Sequence, residues 1–455
     1  MSTADMSDHD PGRHASTQVD DGRRRLLKAI GLGSGLAVVS GGALLSTPAQ
    51  ALRTSARIVI VGAGAAGVAA ANRLARALDG ARITIIDSRQ RHLYQPGLTL
   101  VATGIWKPSK VIDSNARYLP RSIDWLQDSV AEFDPEASRV LTASGRSVDY
   151  DYLLVTTGLK VDYDAVAGMH PDLIGREGIA CVYDTPEHAE RSWSMIDEYV
   201  GSGGVGLFTR GPGGIKCAGA PLKVAMLTED LARERGSRQS LQMVYNSPGD
   251  GLFSQPDMDQ FLKREFPDRG IRINWHHRLI GIEPELRRAS FATPEGTQRI
   301  DYDFIHVVPP MRAPDALARS PLAWQDGPFA ADGDWLEVDQ FSMQHRRYPN
   351  VFGAGDCVGT PIGKTAASVK AQVPVAVNNL IDALRDREMK ASYNGYTSCP
   401  LITGRGRGIL VEFDYALNMV PSFPFINPYR EHWVPWVMKD RMLLPAYNAM
   451  LRGRI

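Results

Sequence analysis

Cysteine is scarce in this chain. Four residues in 455, Cys181, Cys217, Cys357 and Cys399, cannot staple a fold of this length. No two of them form a C-x-x-C pair, and none joins histidines at zinc spacing, so neither a disulfide scaffold nor a structural metal is expected. Net charge is lacking as well. Lys and Arg number 51 and Asp and Glu 51, so no overall field draws the protein to nucleic acid, and no such partner is expected. Beyond residue 51 there is no apolar run of the roughly 20 residues a spanning helix requires. What is present is ordinary globular composition, 44% hydrophobic and 22% charged. A chain of 455 residues outgrows one hydrophobic core, so two or three domains are expected.

The N-terminus has the composition of an address. Residues 1–22 are polar, then Arg23, Arg24 and Arg25 precede a glycine-rich apolar run from Ala29 to Leu45. Ala49-Gln50-Ala51 follows as an A-x-A cleavage site. This layout predicts a twin-arginine signal peptide over residues 1–51, with an uncleaved anchor as the alternative. Either way the body is expected to be periplasmic, on the extracytoplasmic side, peripheral to the cytoplasmic membrane.

After the leader, RIVIV at 57–61 has the β-branched texture of a buried parallel strand. Gly62, Gly64 and Gly67 then fit G-x-G-x-x-G, and an Ala- and Leu-rich helical stretch follows. The first glycine permits the tight turn, the second lets backbone approach a pyrophosphate, and the third lets helix and strand pack closely. A second strand, 81–87, closes on Asp87, 20 residues after Gly67, where a carboxylate can accept ribose hydroxyls. The pattern predicts a Rossmann-like unit but does not separate FAD from NAD. Thr156-Thr157-Gly158 after a strand, and Gly353-Ala354-Gly355-Asp356, resemble the turns of flavoproteins with two dinucleotide-binding domains. There Asp356 would take a ribityl hydroxyl; a simple turn aspartate is the bland alternative. A helix over 364–384, kinked at Pro374, would aim its N-terminus at the flavin ring. Lys364 would hydrogen-bond the ring or simply be solvated. In the middle of the chain, Gly211 and Gly213 open a second glycine turn, but Lys216 stands where the third glycine belongs and Pro212 removes an N–H. That site is expected not to bind NAD.

The fold class predicted is α/β, with two Rossmann-like domains and the FAD domain split in sequence. Its boundaries are 52–162 for the first FAD-binding part, 163–305 for the second Rossmann-like domain and 306–390 for the second FAD-binding part. Residues 391–455 form an aromatic-rich C-terminal segment.

Cys217 and Cys399 lie 182 residues apart, so any partnership is spatial. Composition alone leaves a structural disulfide, two buried thiols or a redox pair open. Their flanks are more specific. KCAGAPLK at 216–223, YNGYTSCPLITG at 393–404, HLYQPGLTLVATG at 92–104, VVPPMRAPDAL at 307–317 and GKTAASVKAQ at 363–372 resemble type II sulfide:quinone oxidoreductases across nearly the whole mature chain. The resemblance implies non-covalent FAD, with sulfide, a quinone and a small sulfur acceptor as partners. It also implies that Cys217 and Cys399 form the redox centre, the persulfide belonging to Cys399. Cofactor contacts would fall on Gly62, Gly64, Gly67, Asp87, Thr157, Gly158, Gly355, Asp356 and Lys364. His92 and Tyr94 lie in the loop that this fold places near the flavin, as ligand neighbours or as packed loop residues. Cys181 and Cys357 are expected to be structural.

The C-terminal segment mixes Trp, Tyr, Phe and Met with Lys and Arg. It suits an interfacial segment on a membrane surface where quinone dissolves, or an aromatic cap under the FAD domain. A homo-oligomer is allowed. Three rival readings stand beside this one. The flavoprotein subunit of a flavocytochrome c sulfide dehydrogenase would carry a flavin-linking cysteine in the 92–104 loop, which has none. An NADH:quinone oxidoreductase is disfavoured by the degenerate middle turn. A non-catalytic persulfide-binding flavoprotein is disfavoured by two intact cysteines.

Overall fold

The computed structural model describes residues 51–455. The leader read over 1–51 lies, except for Ala51, outside the described residues. The first glycine turn joins β1 (Arg57–Val61) to helix α1 (Ala65–Ala77), and β2 (Arg82–Ile86) completes the unit. β3 (Asp124–Leu126) and β4 (Tyr152–Val155) follow. Ile58, Val59 and Ile60 are buried on both faces of the sheet, as a parallel strand of this texture requires. The run SVDYDYLLV at 147–155 does not form one continuous strand. Instead Ser147–Asp149 closes a small antiparallel meander, and β4 starts afresh. The break sits at Asp151, whose N–H bonds the Arg57 carbonyl and whose carboxylate takes the Arg57 N–H at 2.7 Å. That clasp turns the chain into register beside β1.

A second unit follows. It comprises β5 (Ile179–Ala180), α2 (Pro186–Ser202), β6 (Gly204–Thr209), α3 (Ala220–Glu234), β7 (Leu241–Asn246), α4 (Pro256–Asp268), β8 (Ile271–Asn274) and β9 (Phe304–His306). Its parallel sheet has the order β5-β9-β6-β7-β8. The chain then returns to the first sheet with β10 (Val351–Gly353), giving the parallel order β10-β4-β1-β2-β3. Val61, Ile86, Val155 and Gly353 therefore end side by side. Ligands of open α/β sheets bind at that carboxyl edge.

Helix α5 (Ala366–Leu384) runs through Pro374, and Thr365 caps it by accepting the Ser368 N–H. It leads into an antiparallel hairpin of β11 (Thr397–Gly404) and β12 (Arg407–Phe413). The hairpin is tied to the second unit by a buried ionic cluster. Arg269 donates to the Thr403 carbonyl, pairs with Glu265 at 2.7 Å and Glu431 at 2.9 Å, and faces Glu229 at 3.4 Å. Glu229 has no exposed side-chain surface, and Arg233 and Arg238 complete its shell. Removing one partner from such a cluster strands buried charge. Arg269→Met is therefore expected to cost about 3 kcal/mol, read from the urea midpoint of the purified protein. The chain ends in α6 (Trp433–Val437), a π-helical turn at Met438–Met442 and α7 (Leu443–Leu451). No helix among the described residues is long and apolar enough to cross a membrane.

Candidate active site

A cavity of about 710 Å³ opens at the carboxyl edge of the first sheet. Its floor is the glycine turn, and the three glycines divide their labour as the motif requires. A side chain at Gly62 would meet the Thr156 carbonyl at 2.4 Å, and one at Gly67 would meet the Gly62 carbonyl at 1.8 Å. Gly64, by contrast, faces open space. So the first and third glycines pack the turn, and the second leaves backbone bare for a phosphate. Thr157, Gly158, Gly355 and Asp356 also line the cavity, the two glycines with φ of +69° and +89°. The Asp356 carboxyl meets no hydrogen-bond donor among the described residues; burial raises its pKa, against Lys216 and Lys364. A half-buried carboxyl without a donor, beside bare backbone, fits a polyhydroxyl dinucleotide.

Two expected ligands are placed differently. Asp87 does not line the cavity. Its oxygens accept the Ala63 N–H at 2.6 Å and the Arg89 N–H and guanidinium, so it braces the turn, and Arg89 lines the cavity in its stead. Lys364 reaches the cavity wall, but its ammonium donates to the Asp356 and Val358 carbonyls at 2.8 and 3.0 Å and sits over the Trp335 ring. Burial lowers its pKa to about 8. His92 and Tyr94 also line the cavity. His92 is held by Asn115 and by Tyr447 of α7, and Tyr94 packs edge-on against Tyr447. Cys181 and Cys357 are buried, and burial pushes both thiols up to about 11. The middle glycine turn has no such room. A side chain at Gly211 would meet the Pro309 carbonyl at 2.9 Å, and one at Gly213 the Asp332 carboxylate at 2.4 Å.

The two distant cysteines meet at the cavity wall. Cys217 precedes α3 with φ +47°, a left-handed conformation uncommon for a side-chain-bearing residue. Its N–H bonds the Lys364 carbonyl and its carbonyl takes the Ala220 N–H, so the turn is pinned from both sides. Cys399 arrives from β11, and Gly219 leaves it space, because a side chain there would lie 2.7 Å from its sulfur. Lys223, 2% exposed, donates from one ammonium to Cys217 Sγ at 3.2 Å and to Cys399 Sγ at 3.5 Å. The pair shares a proton unequally. The hydrogen bond from Cys399 holds Cys217 well below the ordinary thiol range, against burial, with Lys223 assisting. Cys399 is pushed up by that same bond and by burial. The pair titrates as a unit, with its negative charge drawn toward Cys217 beside the nearer approach of Lys223. A second cation, Lys439, comes from the π-helical turn, bonds the Pro96 carbonyl and is lowered to about 7 by burial and by Lys223.

Neither lysine was among the sequence candidates. Lys223 did carry a signal: Pro221 marks a helix start, and a residue in that first turn folds back over Cys217. Lys439 carried none, since its approach depends on the π-helical turn.

Residues 56–207 match the pyridine nucleotide-disulphide oxidoreductase family. The mitochondrial sulfide:quinone oxidoreductase of Mus musculus is 35% identical over 87% of this chain and 86% of its own. That of Dictyostelium discoideum is 36% identical over 89% of this chain and 87% of its own. The chain belongs to the sulfide:quinone oxidoreductase family. It is a flavin-dependent oxidoreductase with FAD as cofactor, and the open glycine turn and free Asp356 carboxyl suit that cofactor. The sulfide:quinone oxidoreductase of Aquifex aeolicus superposes with a TM-score of 0.72 over 87% of this chain and 92% of that one; at 20% identity the likeness speaks for the fold. Membership of the family corrects the location read from the N-terminus. The Mus musculus and Dictyostelium discoideum relatives are mitochondrial proteins, which points away from the periplasm. The physical source of the error is composition. An arginine-rich leader without acidic residues from Arg23 to Ala51 has features that export signals share with mitochondrial transit peptides.

Proposed function

We propose that this protein oxidises sulfide to sulfane sulfur and passes two electrons to a quinone, with Cys217 and Cys399 as its redox pair. The observation that carries this reading is one buried ammonium, Lys223, shared by two cysteines on the wall of a dinucleotide-sized cavity. In the oxidised pair, hydrosulfide attacks the Cys399 sulfur. The disulfide bond breaks, the new sulfur–sulfur bond makes Cys399 a persulfide, and Cys217 leaves as a thiolate. Lys223 stabilises that leaving thiolate. A small nucleophilic acceptor takes the outer sulfur from Cys399, and the two cysteines re-form their disulfide as two electrons depart. FAD, when bound, accepts those electrons and relays them to quinone.

The chain's own residues prepare the site. Gly62 and Gly67 hold the phosphate turn, Gly64 leaves it open, and Asp87 and Arg89 brace its edge. Thr157, Gly158 and Gly355 give a flat ligand close access to backbone, and Asp356 offers a carboxyl to its hydroxyls. Lys364 locks the Asp356 turn from behind. In this reading residues 52–162 and 306–390 make the FAD-binding half, and 163–305 is a dinucleotide domain without a nicotinamide site. The C-terminal segment supports contact with a membrane surface, because Phe425 is 76% exposed and Tyr429 47%.

The test is anaerobic rapid mixing of the purified protein with sulfide and then with a soluble quinone. Flavin absorbance should bleach in the first step and return in the second. A flavin that stays oxidised with sulfide overturns the reading, and bleaching by NADH would restore the nicotinamide alternative.

A further inference from the structure

The hairpin of β11 and β12 has two faces with different chemistry. Alternate residues of a strand point to opposite sides. Cys399 pairs with Val411 across the hairpin, and its sulfur turns toward Cys217 and Lys223. The neighbouring positions Ser398 and Pro400 pair with Glu412 and Leu410. These four also line the cavity, together with Tyr396 just before β11 and Phe423 beyond β12.

Glu412 is only 3% exposed, yet it lines the cavity together with the apolar Pro400, Leu410 and Phe423. A carboxyl there is costly unless it is well bonded. It accepts the Tyr396 hydroxyl at 2.5 Å, the Ser422 hydroxyl at 2.7 Å and the Ser422 N–H at 2.7 Å. Ser422 itself lies at the surface, and the exposed Phe425 follows it. The result is an unbroken hydrogen-bonded line from water, through Ser422 and Glu412, to a tyrosine hydroxyl on the cavity wall.

We propose that Tyr396 is the proton donor to the quinone and that Glu412, refilled from water at Ser422, is the relay behind it. The inference rests on quinone being the electron acceptor. Reducing a quinone to its quinol takes two electrons and two protons. The electron pair and one proton come from the reduced cofactor of the same turnover. Tyr396 gives the second proton to a quinone oxygen, and a proton taken from water through Ser422 passes by way of the Glu412 carboxylate to the phenolate, which leaves Glu412 as it began. Cys399 and Glu412 then serve the two half-reactions from opposite faces of one hairpin.

The test compares wild type, Tyr396→Phe, Glu412→Gln and Ser422→Ala as FAD-loaded proteins, each reduced anaerobically with sulfide. Quinone should reoxidise the Tyr396→Phe and Glu412→Gln proteins about 100-fold more slowly, the contribution typical of a general acid, and the solvent isotope effect of wild type should vanish. Ser422→Ala should slow the same step less. Reduction by sulfide, and reoxidation by ferricyanide, which takes electrons without protons, should be unchanged. In the oxidised proteins, the infrared carbonyl band of bound carbon-13-labelled quinone should shift on Tyr396→Phe. Wild-type reoxidation in both Tyr396→Phe and Glu412→Gln overturns the proposal, as does equal slowing with quinone and ferricyanide. A reduced wild type that quinone cannot reoxidise overturns the quinone reading itself, and this proposal with it.

Discussion

Cys217→Ser and Cys399→Ser will each slow sulfide-driven bleaching of the flavin by at least about a thousandfold, the scale of loss when a covalent nucleophile is removed. Serine cannot form the disulfide that sulfide attacks, and its oxygen does not leave as readily as a thiolate. The two cysteines act as one unit, so the double variant should be no worse than either single one. Neither residue lies in the glycine turn, so the flavin content of the purified proteins should match wild type, and dithionite should still bleach them. Rapid mixing with sulfide, with dithionite as the control, checks both halves of the expectation. Sulfide bleaching that survives in either variant would remove the cysteine pair from the reaction.

Lys223→Met will shift the thiolate chemistry toward alkaline pH. Cys217 is held low first by the Cys399 hydrogen bond and then by the Lys223 ammonium, while burial opposes both. A hydrogen bond to a charged group contributes about 1.5–3 kcal/mol, or about one to two pH units of thiol acidity. With that ammonium gone the Cys217 thiol rises, so its thiolate is depleted near neutral pH and returns as pH increases. The rate of the sulfide step should fall about 10- to 100-fold near pH 7 and recover toward pH 9. Two measurements check this: the pH profile of flavin reduction, and the pH profile of Cys217 alkylation in the reduced protein, followed by mass spectrometry. An unshifted profile would mean that the Cys399 hydrogen bond alone sets the acidity. Methionine fills the lysine stem's volume, which keeps packing loss small.

The local pattern carried much of this protein. RIVIV followed by three glycines pointed to a strand entering a phosphate turn, because that spacing combines close packing with open backbone. The flanks of Cys217 and Cys399 set them apart from Cys181 and Cys357. Short-range rules failed where a residue's partner lies far along the chain. Asp87 had the position of a ribose ligand, but Arg89 and the Ala63 N–H consume its oxygens. Lys364 stood at a helix start, and only the folded turn of Asp356 to Val358 gave its ammonium two carbonyls.

By itself, then, the sequence determined the strand-turn-helix frame and the cofactor class, and its motifs pointed to the cysteine pair proposed here as the redox centre, since each signal depends on residue types within short segments. Tertiary structure alone decided the acidity of those cysteines and the sidedness of the site. Lys223 reaches both sulfurs from α3 while Lys439 comes to the same cavity from the π-helical turn, and the β11–β12 register sets Cys399 on one face and Glu412 on the other. The electrostatics depend on distances between segments such as Lys223 and Cys399, 176 residues apart, and no local pattern encodes those distances.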